Sequence, residues 1–238
     1  MSNERSYSQW GEDLAVWEFF NRAPRGFFVE VGANEPSNLS QTFLLEQKGW
    51  EGILVEPQPA CCERLRQMRP RSTVVQAACG SAAQRGKASF RIASHTDRSL
   101  LAGLEPDGDV EFTDAITVDV VTLDEVLGKA GNPRIDFLSI DVEGGELEVL
   151  SGFSLARHAP ALVLLEDHVE NLRLHSYMKS HAYKLVQRTG SNNWYVPAST
   201  PFPIGFGERL KLLRKMQLGT PFRRIKRLLK RRRTPLAQ

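Results

Sequence analysis

The 238-residue chain contains no run approaching the roughly 20 apolar residues that a spanning helix needs. Its first stretch, Met1 to Gln9, is polar and has no apolar core, so no secretory signal is expected. There are only three cysteines, Cys61, Cys62 and Cys79. They cannot all pair and form no CxxC, which points to a reduced, cytoplasmic setting and to simple burial of each thiol. No internal repeat is visible. The glycine triplet of a dinucleotide turn, GxGxxG, is missing as well. Acid is absent from one region altogether: residues 209–233 carry twelve Lys and Arg, and no Asp or Glu occurs after Glu208. Of 31 bases these leave 19 against 28 acids in residues 1–208, a net of −9 where the whole chain is +3. This is an acidic body with a basic tail, and nucleic acid is not an expected partner of the body.

What is present is a globular composition, 41% hydrophobic and 25% charged, sufficient for a sizeable core. The pattern is organised around Phe27-Phe28-Val29-Glu30-Val31-Gly32-Ala33-Asn34: an apolar strand that breaks at one glycine and runs into a helix expected from Leu39 to Lys48. A helix is expected over Ser8–Arg22, with Trp10, Leu14, Trp17 and Phe19 or Phe20 as its stripe. This helix either caps the core or turns Ser8, Gln9, Glu12 and Asp13 toward a ligand. Strands follow at Ile53–Glu56 and Thr73–Ala78 around a helix at Pro59–Met68. This βαβαβ order predicts an α/β fold with a parallel sheet. Short strands are expected at Ala88–Ile92 and Ala115–Val121, with a long loop between them. Core strands at Ile135–Asp141 and Ala161–Glu166 alternate with helices at Leu123–Ala130, Gly145–Ser151 and His175–His181. An antiparallel pair, Tyr183–Gln187 and Asn193–Val196, closes the sheet. Residues 198–208 read as a Pro/Gly linker after a domain of residues 1–197. Residues 209–238 read as a cationic amphipathic tail suited to an anionic membrane surface.

The chemistry-bearing residues fall at strand ends, where open α/β sheets bind ligands. Glu56, two dozen residues after Gly32, suits a ribose diol. Glu35 and Pro36 stand where a pyrophosphate would need bare N–H groups, which counts against NAD. Asp141, Glu166 and Asp167 offer hard oxygens for Mg²⁺ or Mn²⁺. His168 offers a general base. Asp141 is itself a second candidate base.

The segments SQWGED, GFFVEVGANEPSNLSQT, KGWEGILVEP, IDFLSIDVEGGELEVLSGF and VLLED resemble the FkbM-type S-adenosylmethionine-dependent methyltransferases, from about Ser8 to Pro197. The resemblance implies a Rossmann-like class I methyltransferase fold with a mostly parallel seven-stranded sheet and helices on both faces. It implies O-methylation of a hydroxyl on a glycan or glycosylated small molecule. By position Glu30, Gly32, Ala33 and Asn34 would hold the methionine end of the cofactor, Glu56 the ribose, and Asp141 would lie beside the transferred methyl. The loop reads GANEP where GANIG or GAHHP is commoner. Two other readings stand beside this one: an NAD-dependent oxidoreductase or epimerase, and a non-catalytic, membrane-anchored binding protein on a methyltransferase fold. The tail lies outside the resemblance. It suggests a peripheral place at the inner membrane face.

Overall fold

The computed structural model describes residues 4–93, 112–167, 172–214 and 216. The chain runs through α1 (Glu12–Phe19), β1 (Phe27–Val31), α2 (Phe43–Gln47), β2 (Glu51–Glu56), α3 (Pro59–Met68), β3 (Ser72–Gln76) and β4 (Ala78–Cys79). A 3₁₀ turn at Ala82–Gln84 leads to β5 (Gly86–Ala93) and β6 (Phe112–Val121). Then come α4 (Leu123–Lys129), β7 (Phe137–Ile140), α5 (Glu146–Ser151), α6 (Leu155–His158), β8 (Leu162–Glu166) and α7 (Arg173–Ser180). The hairpin β9 (Tyr183–Thr189) and β10 (Asn192–Pro197) and the helix α8 (Phe206–Leu213) complete the described chain.

The main sheet has seven strands in the order β3-β2-β1-β7-β8-β10-β9. The first five are parallel and β10 runs antiparallel to both neighbours. The central strands are apolar on both faces because both faces are covered. One face packs Val29, Val31, Ile53, Leu138, Ile140, Val163 and Leu165 against residues of α4 to α7. The other packs Phe28, Leu54, Phe137 and Leu164 against Val16, Leu45 and Leu65 of α1, α2 and α3. Each such side chain contributes about 1.5–3 kcal/mol on burial. This is the class I methyltransferase arrangement that the resemblance implies.

The strand expected over Thr73–Ala78 divides: β3 stays at the sheet edge, while β4 leaves to form a second sheet, β4-β6-β5, with β4 parallel and β5 antiparallel to β6. In α1 the buried positions are Glu12, Asp13 and Val16, whereas Trp10 is 55% exposed. The two acids are buried because each is hydrogen-bonded. Asp13 accepts from Ser6 Oγ, Tyr7 N and Ser8 Oγ at 2.6–2.8 Å, and Glu12 accepts from Trp10 N and Asn192 Nδ2 at 2.8 and 3.0 Å. The helix expected from Leu39 begins only at Phe43, since Leu39 takes a positive φ of 62°. A buried ion pair, Arg69 Nε to Glu46 Oε2 at 2.6 Å, anchors that stretch. The same guanidinium donates to Pro36 O and to Thr42 Oγ1 at 3.1 and 2.8 Å, fixing a non-helical path from 36 to 42.

Residues 198–208, read as a linker, run past the second core into the start of α8. Phe202 and Ile204 pack on the second core, and Phe202 stacks with Phe19 at 6.2 Å. Among the described residues no helix is long and apolar enough to cross a membrane. The three cysteines are buried and unpaired. The expected loop, His95 to Asp114, lies outside the described residues as far as residue 111, and its last three residues belong to β6; most of the tail also lies outside the described residues.

Candidate active site at the carboxyl edge of the sheet

The strand registers place five residues in one row. Val31 pairs with Val55 and with Ile140, so Gly32 is level with Glu56 on one side and Asp141 on the other. Ile140 pairs with Leu165, which brings Glu166 level with Asp141, and Glu166 pairs with Asn192. Glu56, Gly32, Asp141, Glu166 and Asn192 therefore cross the ends of β2, β1, β7, β8 and β10. At about 4.8 Å per strand the row spans roughly 19 Å. All five line one cavity of about 590 Å³. Ala77, Ala78, Cys79 and Phe90 form its apolar wall, and Gln9 and Arg173 also face it.

The glycine turn is enforced by space. Gly32 has φ 86°, and a β-carbon there would lie 1.8 Å from the Asp141 carbonyl oxygen. Gly32 N and Ala33 N donate to Val55 O at 2.9 and 3.2 Å, holding the turn against β2. Glu56 accepts from Asn34 N and Gln58 N, each at 2.9 Å. A carboxylate offers about four acceptor positions, so capacity for a ligand's hydroxyls remains. Burial pushes the Glu56 carboxyl up to about 7, against the opposing pull of those two N–H groups. Asn34 holds φ 46°, and its Nδ2 is buried without a hydrogen-bond partner at the cavity. Glu30 lines the same cavity, and its carboxylate accepts from Gln41 N at 3.2 Å and Thr42 Oγ1 at 2.5 Å, which holds the start of α2 against the cavity wall.

At the centre, Asp141, Glu143 and Glu166 each bring a carboxylate oxygen within 4.8 Å of the other two. Burial, then the neighbouring Glu166 and Glu143 charges, hold Asp141 well above the ordinary carboxylate range. Burial, then Glu166 and Glu146, push Glu143 up to about 8. The turn carrying Glu143 is tight, with φ 57° at Glu143 and 108° at Gly144. Glu146 stabilises it by accepting from Val142 N and Gly144 N at 3.2 and 3.0 Å. Burial raises Glu146 itself to about 7.

The metal set read from the sequence is thus only partly assembled. Asp141 and Glu166 meet, but the third acid is Glu143. Asp167 turns to the β9–β10 hairpin, where its Oδ2 accepts from Asn193 Nδ2 at 2.9 Å and its carbonyl from Arg188 Nη2 at 2.6 Å. His168 lies outside the described residues.

The methyltransferase FkbM domain model matches residues 30–185, from β1 into β9. The chain belongs to the FkbM methyltransferase family. No curated protein matches it in sequence. Among solved structures it is similar to methyltransferase FkbM from Methylobacillus flagellatus KT, at 17% identity and a TM-score of 0.48, over 73% of this chain and 44% of that one. It is similar also to a TehB-like SAM-dependent methyltransferase from Corynebacterium glutamicum ATCC 13032 Kitasato, at 11% identity and 0.39, over 79% and 86%. A third is M. capricolum TrmK, solved in complex with S-adenosyl-homocysteine, at 10% and 0.38, over 72% and 61%. The chain spans less than half the length of the first of these.

Within this FkbM chain, Gln9 is the one residue of the Ser8–Asp13 group that lines the cavity. Glu12 acts one step away, through Asn192. Asn192 is 4% exposed, gives its Nδ2 to Glu12 and leaves its Oδ1 without a partner. Asn192 lies just ahead of the strand expected at Asn193–Val196, and the antiparallel pairing sets it, as the first residue of β10, opposite the last of β8.

Proposed function

We propose that the protein is an S-adenosylmethionine-dependent O-methyltransferase acting on a hydroxyl of a glycan or glycosylated small molecule. The observation that carries this reading is the level row Glu56, Gly32, Asp141, Glu166, Asn192 along one cavity. Glu56 suits the two ribose hydroxyls, and the unpartnered Asn34 Nδ2 supplies a donor beside the Gly32 turn. The acid-rich wall, with Arg173 as its one lining cation among the described residues, suits a ligand bearing a sulfonium and an ammonium. Glu35 pairs with Arg64 at 2.6 Å at the cavity's edge, and the turn lacks the glycines a pyrophosphate needs.

When bound, S-adenosylmethionine supplies an electrophilic methyl on sulfur. The chain's own part is to hold the acceptor in line and to remove its proton. Asp141 sits mid-row, and in its carboxylate form it takes the hydroxyl proton as the oxygen–carbon bond forms and the sulfur–carbon bond breaks, releasing S-adenosylhomocysteine. Glu166 and Asn192, on the next two strands, face the acceptor. The oxygens of Asp141, Glu143 and Glu166 fit Mg²⁺ or Mn²⁺, which would lower the pKa of a hydroxyl held there.

The test uses methyl-labelled S-adenosylmethionine with cell-surface glycan fractions. Label should enter base-stable methyl ethers, and Asp141→Asn should slow transfer about 10²–10⁴-fold while S-adenosylhomocysteine still binds. Label in base-labile esters or in methylamines would contradict the O-methyl ether assignment.

A further inference from the structure

α8 divides its apolar residues between two sides. Leu212 is 9% exposed and Met216 just beyond it 4%, so one side is seated on the protein. Phe206, Leu210 and Leu213 are 83%, 55% and 45% exposed. Their spacing of four and three residues puts them in a single row at 3.6 residues per turn. By the same geometry Arg209 lies to one side of that row and Arg214 to the other, and both are exposed. Lys211 is exposed as well, bonded to Glu208 at 3.2 Å.

We propose that this face of α8 docks the protein on an anionic lipid surface, the three apolar side chains entering the headgroup boundary and the bases meeting lipid phosphates. The exposed row is contiguous, so it is more than scattered surface hydrophobics. Its flanks are cationic and the sequence that follows is cationic throughout, with no acid after Glu208. Like charge disfavours the chain's own following segment as its cover. Charge complementarity selects an anionic partner, and the apolar row selects one with a hydrocarbon layer over a nucleic acid. The docking element therefore begins at Phe206, ahead of the basic run, and Met216 belongs to the seated side. The proposal goes beyond the methyl-transfer reading and does not depend on it.

The test is flotation of the full chain with phosphatidylglycerol–phosphatidylcholine vesicles and with phosphatidylcholine alone. The chain should float with the first and stay down with the second. Replacing Phe206, Leu210 and Leu213 together by Ser should lower the floated fraction at least tenfold, with an unchanged thermal melt because all three are exposed. Arg209→Glu with Arg214→Glu should do the same. Flotation of the Ser variant at the wild-type level would overturn the proposal, as would failure of the wild-type chain to float. So would a dimer seen by light scattering and lost in the Ser variant, with no flotation by either form.

Discussion

A β-carbon on Gly32 would stand 1.8 Å from the carbonyl oxygen of Asp141, so the turn after β1 and the end of β7 are in direct contact across the middle of the cavity. The two halves of the site are built against each other there. Gly32→Ala adds that clash to a backbone at φ 86°. It should destabilise the protein by roughly 2–3 kcal/mol and weaken S-adenosylhomocysteine binding. Urea unfolding and calorimetry would check both, and a fully stable Gly32→Ala protein would contradict the contact.

The loop on the cavity's near side depends on Arg69, whose guanidinium is fully buried with Glu46. Arg69→Met removes the cation of this buried pair and leaves Glu46 only its bonds from Arg71 N and Ser72 Oγ, at a cost of about 3–5 kcal/mol. Adding Glu46→Gln removes the stranded charge and should return part of the loss. Urea unfolding of both variants would show this, and an additive loss in the double variant would argue against a coupled pair.

Three cavity acids are raised in the folded state from an ordinary 4.5: Glu56 and Glu146 to about 7 and Glu143 to about 8. Below about pH 4.5 they are protonated whether the chain is folded or not. Between there and pH 7 to 8 the unfolded chain ionises first, so the folded state binds more protons and stability falls as pH rises. The stability of Glu143→Gln should therefore gain on wild type from pH 5 to pH 8.5 in urea melts. An unchanged difference between the two proteins across that range would mean that Glu143 is ionised throughout and would contradict the raised value.

The central carboxylates give a test of the metal that needs no acceptor. Mn²⁺ should raise the melting temperature of the wild-type chain, with EDTA reversing the shift, since a ligand at a hundred times its Kd adds about 2.7 kcal/mol. Asp141→Asn and Glu166→Gln should each abolish the shift. Equal shifts in all three proteins would place the ion elsewhere.

Much of this was legible in the residues because a doubly covered parallel strand must be apolar on both faces. Phe27–Val31, Ile53–Glu56, Ile135–Asp141 and Ala161–Glu166 announce themselves, and so do the acids at their ends. What was not legible is whatever depends on long-range pairing. Glu12 and Asp13 read as ligand-facing acids until Asn192 and the segment around Ser6 are folded onto them. Nothing in the sequence around Arg69, just past the helix at Pro59–Met68, points to its burial against Glu46, 23 residues earlier. The short α2 follows from that same pair, which no local propensity reports. Asp167 and Glu166 are neighbours in sequence, but alternation along the strand end sends one to the hairpin and the other to the cavity.

S-adenosylmethionine is proposed to lie along the Glu56, Gly32 and Asp141 part of the row, and isothermal titration of the full chain tests this most directly. S-adenosylhomocysteine should bind one to one, with Glu56→Ala weakening it by roughly 1–3 kcal/mol, and NAD should give no heat of binding. Saturable binding of NAD with none of S-adenosylhomocysteine would contradict the account.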